Sequence, residues 1–181
     1  MRAGRLIAVV GPSGAGKDTL LEGASAARPD LVLARRAITR PDSAGGECHD
    51  GLSLAEFERR RAAGGFAIHW QAHGLSYGVP ASIEPALSAG QVVLFNGSRA
   101  ALPGARERYP GLGVILITAP PRVLATRLAA RGRESAADIE ERLARADLAP
   151  PKGALEVLND GDVATGVARL LAAITQLTAT G

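Results

Sequence analysis

A short apolar run, Leu6-Ile7-Ala8-Val9-Val10, ends directly in Gly11-Pro12-Ser13-Gly14-Ala15-Gly16-Lys17. An apolar segment of that length bounded by glycine reads as a buried strand. From Gly16 to about Ala27 the pattern turns helical, with Leu20, Leu21 and Ala24 on one face and Pro29 beyond the end. Strand, glycine turn and helix together are the setting in which a Gly-x4-Gly-Lys segment wraps phosphate. Its glycines permit the backbone conformations that turn N–H groups inward. The helix N-terminus adds its dipole, and Lys17 can reach the β- and γ-phosphates of a nucleoside triphosphate. The plainer alternative, an incidental glycine-rich turn, would require neither flank.

The rest of the chain repeats that rhythm. Val92-Val93-Leu94-Phe95 and Val114-Ile115-Leu116-Ile117 read as fully buried strands of a parallel sheet, each leading into a helix, near residues 99–109 and 121–131. A further strand is expected at Leu155–Leu158 and a closing amphipathic helix at Val163–Leu177. The expected fold is α/β: one three-layer α/β/α domain of 181 residues with a mostly parallel sheet. Two stretches break the alternation. Residues of about 35–80 read as an inserted subdomain, with a turn at Ser43-Ala44-Gly45-Gly46, a helix at Leu54–Ala62, and strand pieces at Phe66–Trp70 and Leu75–Tyr77. Residues of about 132–149, charged and ending at Pro150-Pro151, read as a helical lid.

Composition narrows the function classes. No apolar run approaches the roughly 20 residues that span a bilayer, so no membrane association is expected. Met1-Arg2 runs straight into the first strand without a signal-peptide pattern. Cys48 is the sole cysteine, which excludes an internal disulfide and suits a cytoplasmic location; nothing around it suggests a nucleophile. The net charge is +3 and almost all the cations are arginine, the only lysines being Lys17 and Lys152. An arginine- and alanine-rich compositional bias accounts for most of these. Arg59-Arg60-Arg61 lacks interleaved aromatics and reads as a solvated helix segment, so no nucleic-acid partner is expected. Monomer and homodimer both remain open.

Three groups of residues carry the chemistry. Asp18 stands where a phosphate-binding loop ordinarily has Ser or Thr, with Thr19 next. A carboxylate is a hard-oxygen ligand suited to Mg²⁺; the alternative is a loop kept only as scaffold. Arg127 and Arg131 lie four apart on one helix face. With Arg133, Arg142 and Arg145 they can close over a transferring phosphoryl group, or they can pair with Glu134, Asp138, Glu140 and Glu141. A third group comprises Arg35, Arg36, Arg40, His69, Gln71, His73, Tyr77, Asn96, Ser98 and Arg99. Asn96-Gly97-Ser98-Arg99 directly follows a buried strand, where open α/β sheets bind ligands. His69 and His73 lack a third partner for a metal.

With these residues in place the chain resembles the guanylate kinase superfamily. The glycine loop, Thr39-Arg40-Pro41, His73-Gly74-x-x-Tyr77-Gly78 and Arg127-Leu128-x-x-Arg131-Gly132 occur in that family's order. The departures are Asp18 for Ser or Thr, no second arginine after Thr39-Arg40-Pro41 at Ser43 or its neighbours, Gln71 for the guanine-reading Glu, and Asn96 for an Asp. Gln offers one acceptor oxygen where a carboxylate accepts from two guanine donors. The same departures resemble the ribose 1,5-bisphosphate phosphokinases of bacterial phosphonate catabolism. They share Gly16-Lys17-Asp18, Ile38-Thr39-Arg40-Pro41, Trp70-x-Ala72-x-Gly74-Leu75-x-Tyr77-Gly78 and Asn96-Gly97-Ser98-Arg99-Ala100. Arg131-Gly132-Arg133-Glu134 and Asn159-Asp160-Gly161 complete the run.

That resemblance implies transfer of the ATP γ-phosphoryl group to the 1-phosphate of ribose 1,5-bisphosphate, with Mg²⁺. Lys17, Arg131 and Arg142 would be catalytic. Gly11 to Thr19 (Gly11, Pro12, Ser13, Gly14, Ala15, Gly16, Lys17, Asp18 and Thr19), Arg127 and Arg131 would hold ATP, and Asp18 the metal. Arg36, Arg40 and Arg99 would hold acceptor phosphates, and Gln71, His73, Tyr77, Asn96 and Ser98 the rest of the acceptor. A guanylate or other nucleoside monophosphate kinase is the competing enzyme reading. A non-catalytic guanylate-kinase-like binding module is the competing reading from another class.

Overall fold

The computed structural model describes residues 4–41, 48–130 and 149–179. Five strands, β1 (Arg5–Val10), β2 (Val32–Leu33), β7 (Val92–Asn96), β8 (Gly113–Thr118) and β9 (Leu155–Leu158), form one sheet in the order β2-β7-β1-β8-β9. Every pairing in it is parallel. A parallel sheet needs cover on both faces, and the apolar runs supply it. Ile7, Val9, Leu94, Ile115 and Ile117 face one core with α1 (Lys17–Ala27) and the C-terminal helix α6 (Val163–Ala179). Leu6, Ala8, Val10, Val93, Phe95, Val114 and Leu116 face the other. Helix α1 buries Leu20, Leu21 and Ala24, the face that its spacing predicts. It packs so closely on α6 that Val167 lies against Gly23.

A second sheet, in the order β4-β3-β6-β5, comprises β3 (Ala37–Ile38), β4 (Asp50–Gly51), β5 (Phe66–Ala72) and β6 (Leu75–Pro80). β5 and β6 form a hairpin turned by His73-Gly74, both at positive φ (52° and 72°), the geometry that matches strand twist. Helix α2 (Leu54–Ala62) starts at the Ser53 cap, whose hydroxyl accepts from Glu56 N–H, and buries Phe57 against Phe66. Helices α3 (Glu84–Ser88), α4 (Leu102–Arg108) and α5 (Pro121–Ala130) complete the described α-helices, with short 3-10 turns at Ala81–Ile83 and Arg99–Ala101. The second sheet shares a core with the first: Ile68, Trp70 and Val79 pack with Phe95 and Leu102.

The strands at Leu155–Leu158, Val92 onward and Val114 onward lie where expected, and the final helix runs two residues beyond its expected end. The two-residue strands β2, β3 and β4 and the short helix α3 were not anticipated. The expected turn at 43–46 and the expected lid, up to residue 148, lie outside the described residues. Among the described residues no helix is long and apolar enough to cross a membrane. The C-terminal ends of β1, β7, β8 and β9 open on one edge of the large sheet, and there Gly11, Asn96, Thr118 and Asn159 converge.

Candidate active site

The turn from β1 into α1 runs through Gly11, Gly14 and Gly16 at φ 153°, 84° and 90°, conformations that residues with a Cβ rarely adopt. Lys17 folds back so that its Nζ donates to the carbonyls of Gly11 (2.8 Å) and Pro12 (3.1 Å). Its ammonium is therefore held at the loop itself. The opposite side of the loop is tied down by two donors. Asn159, just past β9 and buried, gives its Nδ2 to the Ala15 carbonyl at 2.7 Å while its backbone N–H bonds Thr118 O at 2.7 Å. Arg127 on α5 sends Nη1 to Ala15 O at 3.3 Å and Gly14 O at 3.4 Å. Carbonyls engaged on that side fix the orientation of the loop's peptide planes, which is what a cradle of N–H groups requires.

Asn159 also explains two glycines. A Cβ on Gly16 would stand 2.6 Å from its Nδ2, and one on Gly166 in α6 would stand 2.7 Å from its Oδ1. The amide is wedged between the loop and the last helix. That helix begins at Asp162, whose carboxylate accepts from the Thr165 N–H (2.8 Å) and hydroxyl (3.0 Å). The Thr165 backbone bond, foremost, holds the Asp162 carboxyl below its ordinary range.

Asp18 is joined to the end of β7: Asn96 Nδ2 donates to Asp18 Oδ1. Asn96 is buried and Asp18 half-buried. These two residues, 78 positions apart, thus become one unit at the foot of the loop. Thr19 is exposed. The donor set fits the groups it was read for: an ammonium, helix-terminal amides and a carboxylate meet where β1 ends. Asp18 can offer oxygen to a divalent cation, and the loop can offer N–H groups to phosphate.

The acceptor candidates divide. Arg36 is buried, with its guanidinium over Trp70 (5.6 Å) and Tyr77 (5.2 Å), whose rings stack at 5.3 Å and 7°. Tyr77 thus packs beneath an arginine. Arg40 Nη2 lies 3.5 Å from Nδ1 of buried His49. Arg99 turns an Nη1 donor to the Ala149 carbonyl. The Ser98 hydroxyl is buried with no hydrogen-bond partner among the described residues. Gln71 and His73 are exposed on the β5–β6 hairpin. Gln71 lines a groove with Thr39, Ser53 and Ser76 rather than the Asp18–Asn96 neighbourhood. Arg131, Arg133, Arg142 and Arg145 lie outside the described residues. Asn159 was missing from the expected site; the available signal was its place directly after a strand, the position that made Asn96 a candidate.

A parallel sheet with a lysine-bearing phosphate loop at the end of its central strand, a second sheet beside that end and helices on both faces is a guanylate kinase-like fold. The crystal structure of guanylate kinase from Anaplasma phagocytophilum matches it with a TM-score of 0.68 over 97% of this chain and 87% of that one, at 20% identity. No protein-family model matches the sequence. The chain belongs to the ribose 1,5-bisphosphate phosphokinase (PhnN) family. It is 53% identical to the ribose 1,5-bisphosphate phosphokinase PhnN of Pseudomonas fluorescens (strain SBW25), over 93% of this chain and 94% of that protein. It is 48% identical, over 99% of its length, to the bifunctional ribose 1,5-bisphosphokinase-thymidine phosphorylase of Azorhizobium caulinodans, of which it spans 27%. It spans 42% of a PhnN from Laribacter hongkongensis that is 54% identical to it.

Proposed function

We propose that this chain phosphorylates the 1-phosphate of ribose 1,5-bisphosphate with ATP, releasing ADP and 5-phosphoribosyl 1-diphosphate, in phosphonate breakdown in the cytoplasm. The bond from the γ-phosphorus to the ADP oxygen breaks, and an oxygen of the 1-phosphate forms the new bond. The acceptor oxygen is already anionic at neutral pH, so the protein need not remove a proton. Its work is to align two polyanions and offset their charge. Lys17 and the loop N–H groups take the β- and γ-phosphates; Arg127 and Asn159 hold the loop in shape. Asp18 would hold Mg²⁺ through oxygen, and the ion would supply neutralisation of phosphate charge. Arg36, Arg40 and Arg99 take the acceptor phosphates, and Arg131 and Arg142 the transferring group.

The observation that carries this reading is the Asp18–Asn96 pair at the seam between donor and acceptor. Guanylate kinases place a hydroxyl residue and an Asp at these positions, and Gln71 stands where they carry a Glu to read guanine. The test is coupled ADP release with ribose 1,5-bisphosphate and with GMP. Turnover of the sugar phosphate at least about a hundredfold above GMP is the expected result, since an unmatched buried polar group is penalised that strongly. Faster turnover of GMP refutes the assignment.

A further inference from the structure

A cavity of about 220 Å³ opens beside the phosphate loop, between α1, the end of β2 and the end of β7. Leu21, Leu33 and Ala34 give it an apolar wall; Asp18, Glu22 and Asn96 give it a polar one. We propose that this cavity holds the ribose ring of the acceptor and that Glu22 determines specificity by accepting hydrogen bonds from the ring's vicinal hydroxyls. The inference rests on the sugar-phosphate reading above.

Size and charge both select the ring. Pockets that enclose a whole ligand of drug size run to about 300–1,000 Å³; this one suits a single five-membered ring. The acceptor carries a phosphate at each end, and carboxylates repel phosphates. The only neutral part of such a molecule, and the only part rich in O–H donors, is the ring between them. Arg35, which also lines the cavity, is engaged by Asp50 at 2.6 Å and by the His49 carbonyl at 3.0 Å. The cationic side chain that lines the cavity is therefore already paired.

Glu22 follows Asp18 by four residues on α1, so the two lie side by side on one helix face. Asn96 engages Asp18, which is left for the metal. The Glu22 carboxylate is exposed at the rim and makes no hydrogen bond or ion pair among the described residues. Its two oxygens can accept from two adjacent hydroxyls at once, as charge-assisted bonds. The apolar wall can take the C–H face of the ring.

The experiment compares ribose 1,5-bisphosphate with its 2-deoxy analogue for wild type, Glu22→Gln and Glu22→Ala. Wild type should prefer the ribose form by about a hundredfold or more in kcat/KM. Glu22→Ala should cut that preference to within a few-fold, mainly through a higher KM for the ribose form, and Glu22→Gln should fall between. An unchanged preference in Glu22→Ala overturns the proposal while leaving the kinase assignment standing. A wild type that turns over GMP but neither sugar sinks that assignment and this inference together. Cys48, the sole cysteine, also lines the cavity and gives a readout independent of turnover. Its alkylation by iodoacetamide should slow several-fold when ribose 1,5-bisphosphate and ADP are added; an unchanged rate places the sugar elsewhere.

Discussion

Lys17 and Asn159 bind the same loop for different physical reasons, and their variants should separate. Lys17 bonds two loop carbonyls from a half-buried position, and its value lies in charge set where charge develops. Lys17→Ala should lower kcat/KM by about 10²–10³-fold, the typical effect of deleting one preorganised electrostatic contact. Its melting temperature should stay within a few degrees of wild type. Asn159 is buried, and its loss leaves the Ala15 carbonyl without its 2.7 Å partner. Asn159→Ala should cost about 2 kcal/mol, roughly 4–8 °C in Tm for a chain of this length. It should also raise the KM for ATP as the loop loosens. Circular dichroism melts beside steady-state kinetics read both. A Lys17 variant that unfolds early, or an Asn159 variant as stable as wild type, would contradict this division.

At the level of elements, legibility tracked how locally each element is determined. β1, α1, β7, β8 and β9 carry long apolar runs or a clear helical face, and all fall within a residue or two of their expected positions. β3 is two residues long and exists because β6 pairs with it on one side and β4 on the other; no local pattern encodes that. The site divides in the same way. Lys17 and Asp18 belong to a contiguous motif, whereas the Asn159 contact spans 144 positions and the Asn96–Asp18 contact 78. The stacking of Tyr77 on Trp70 under Arg36 is likewise a tertiary fact that no local pattern carries. The cap of α6 yields a pH prediction. The Asp162 carboxyl is held low in the folded chain, chiefly by the Thr165 N–H. Its stabilisation is then complete above the unfolded value of about 3.9 and disappears as pH falls through the lower folded value. Wild type should melt above Asp162→Ala at neutral pH, with the gap closing in acid. Asp162→Asn, which caps without titrating, should keep an advantage over Asp162→Ala that does not change with pH. A wild-type advantage over Asp162→Ala that persists unchanged below pH 3 excludes the cap as its cause.

Across the whole molecule, the question is whether the second sheet is a module or part of one body. Arg36 and Arg40, proposed above for the acceptor phosphates, adjoin that sheet, while Lys17 and Asp18 sit on the first, so the proposed in-line transfer depends on how firmly the two are joined. Their shared core gives the physical answer. Trp70 of β5 is buried, stacked on Tyr77 from its own sheet and tilted against Phe95 of β7 at 6.4 Å. Ile68 and Val79 lie in the same cluster as Leu6 and Val93 of the large sheet. Detaching the second sheet would expose apolar surface on both sides, at about 25 cal/mol per Å², so partial unfolding is disfavoured relative to loss of the whole. Trp70 is the only tryptophan, so its fluorescence reports the second sheet and its seam with β7, whereas far-UV circular dichroism is dominated by the helices flanking the large sheet. The two signals should trace one urea transition, with the same midpoint and slope. Phe95→Ala, which removes the ring that Trp70 meets, should move both midpoints down together by an amount typical of a buried aromatic, about 3–5 kcal/mol. A fluorescence transition that precedes the dichroism in wild type would show two units joined weakly, and alignment of donor and acceptor would then have to come from the substrates.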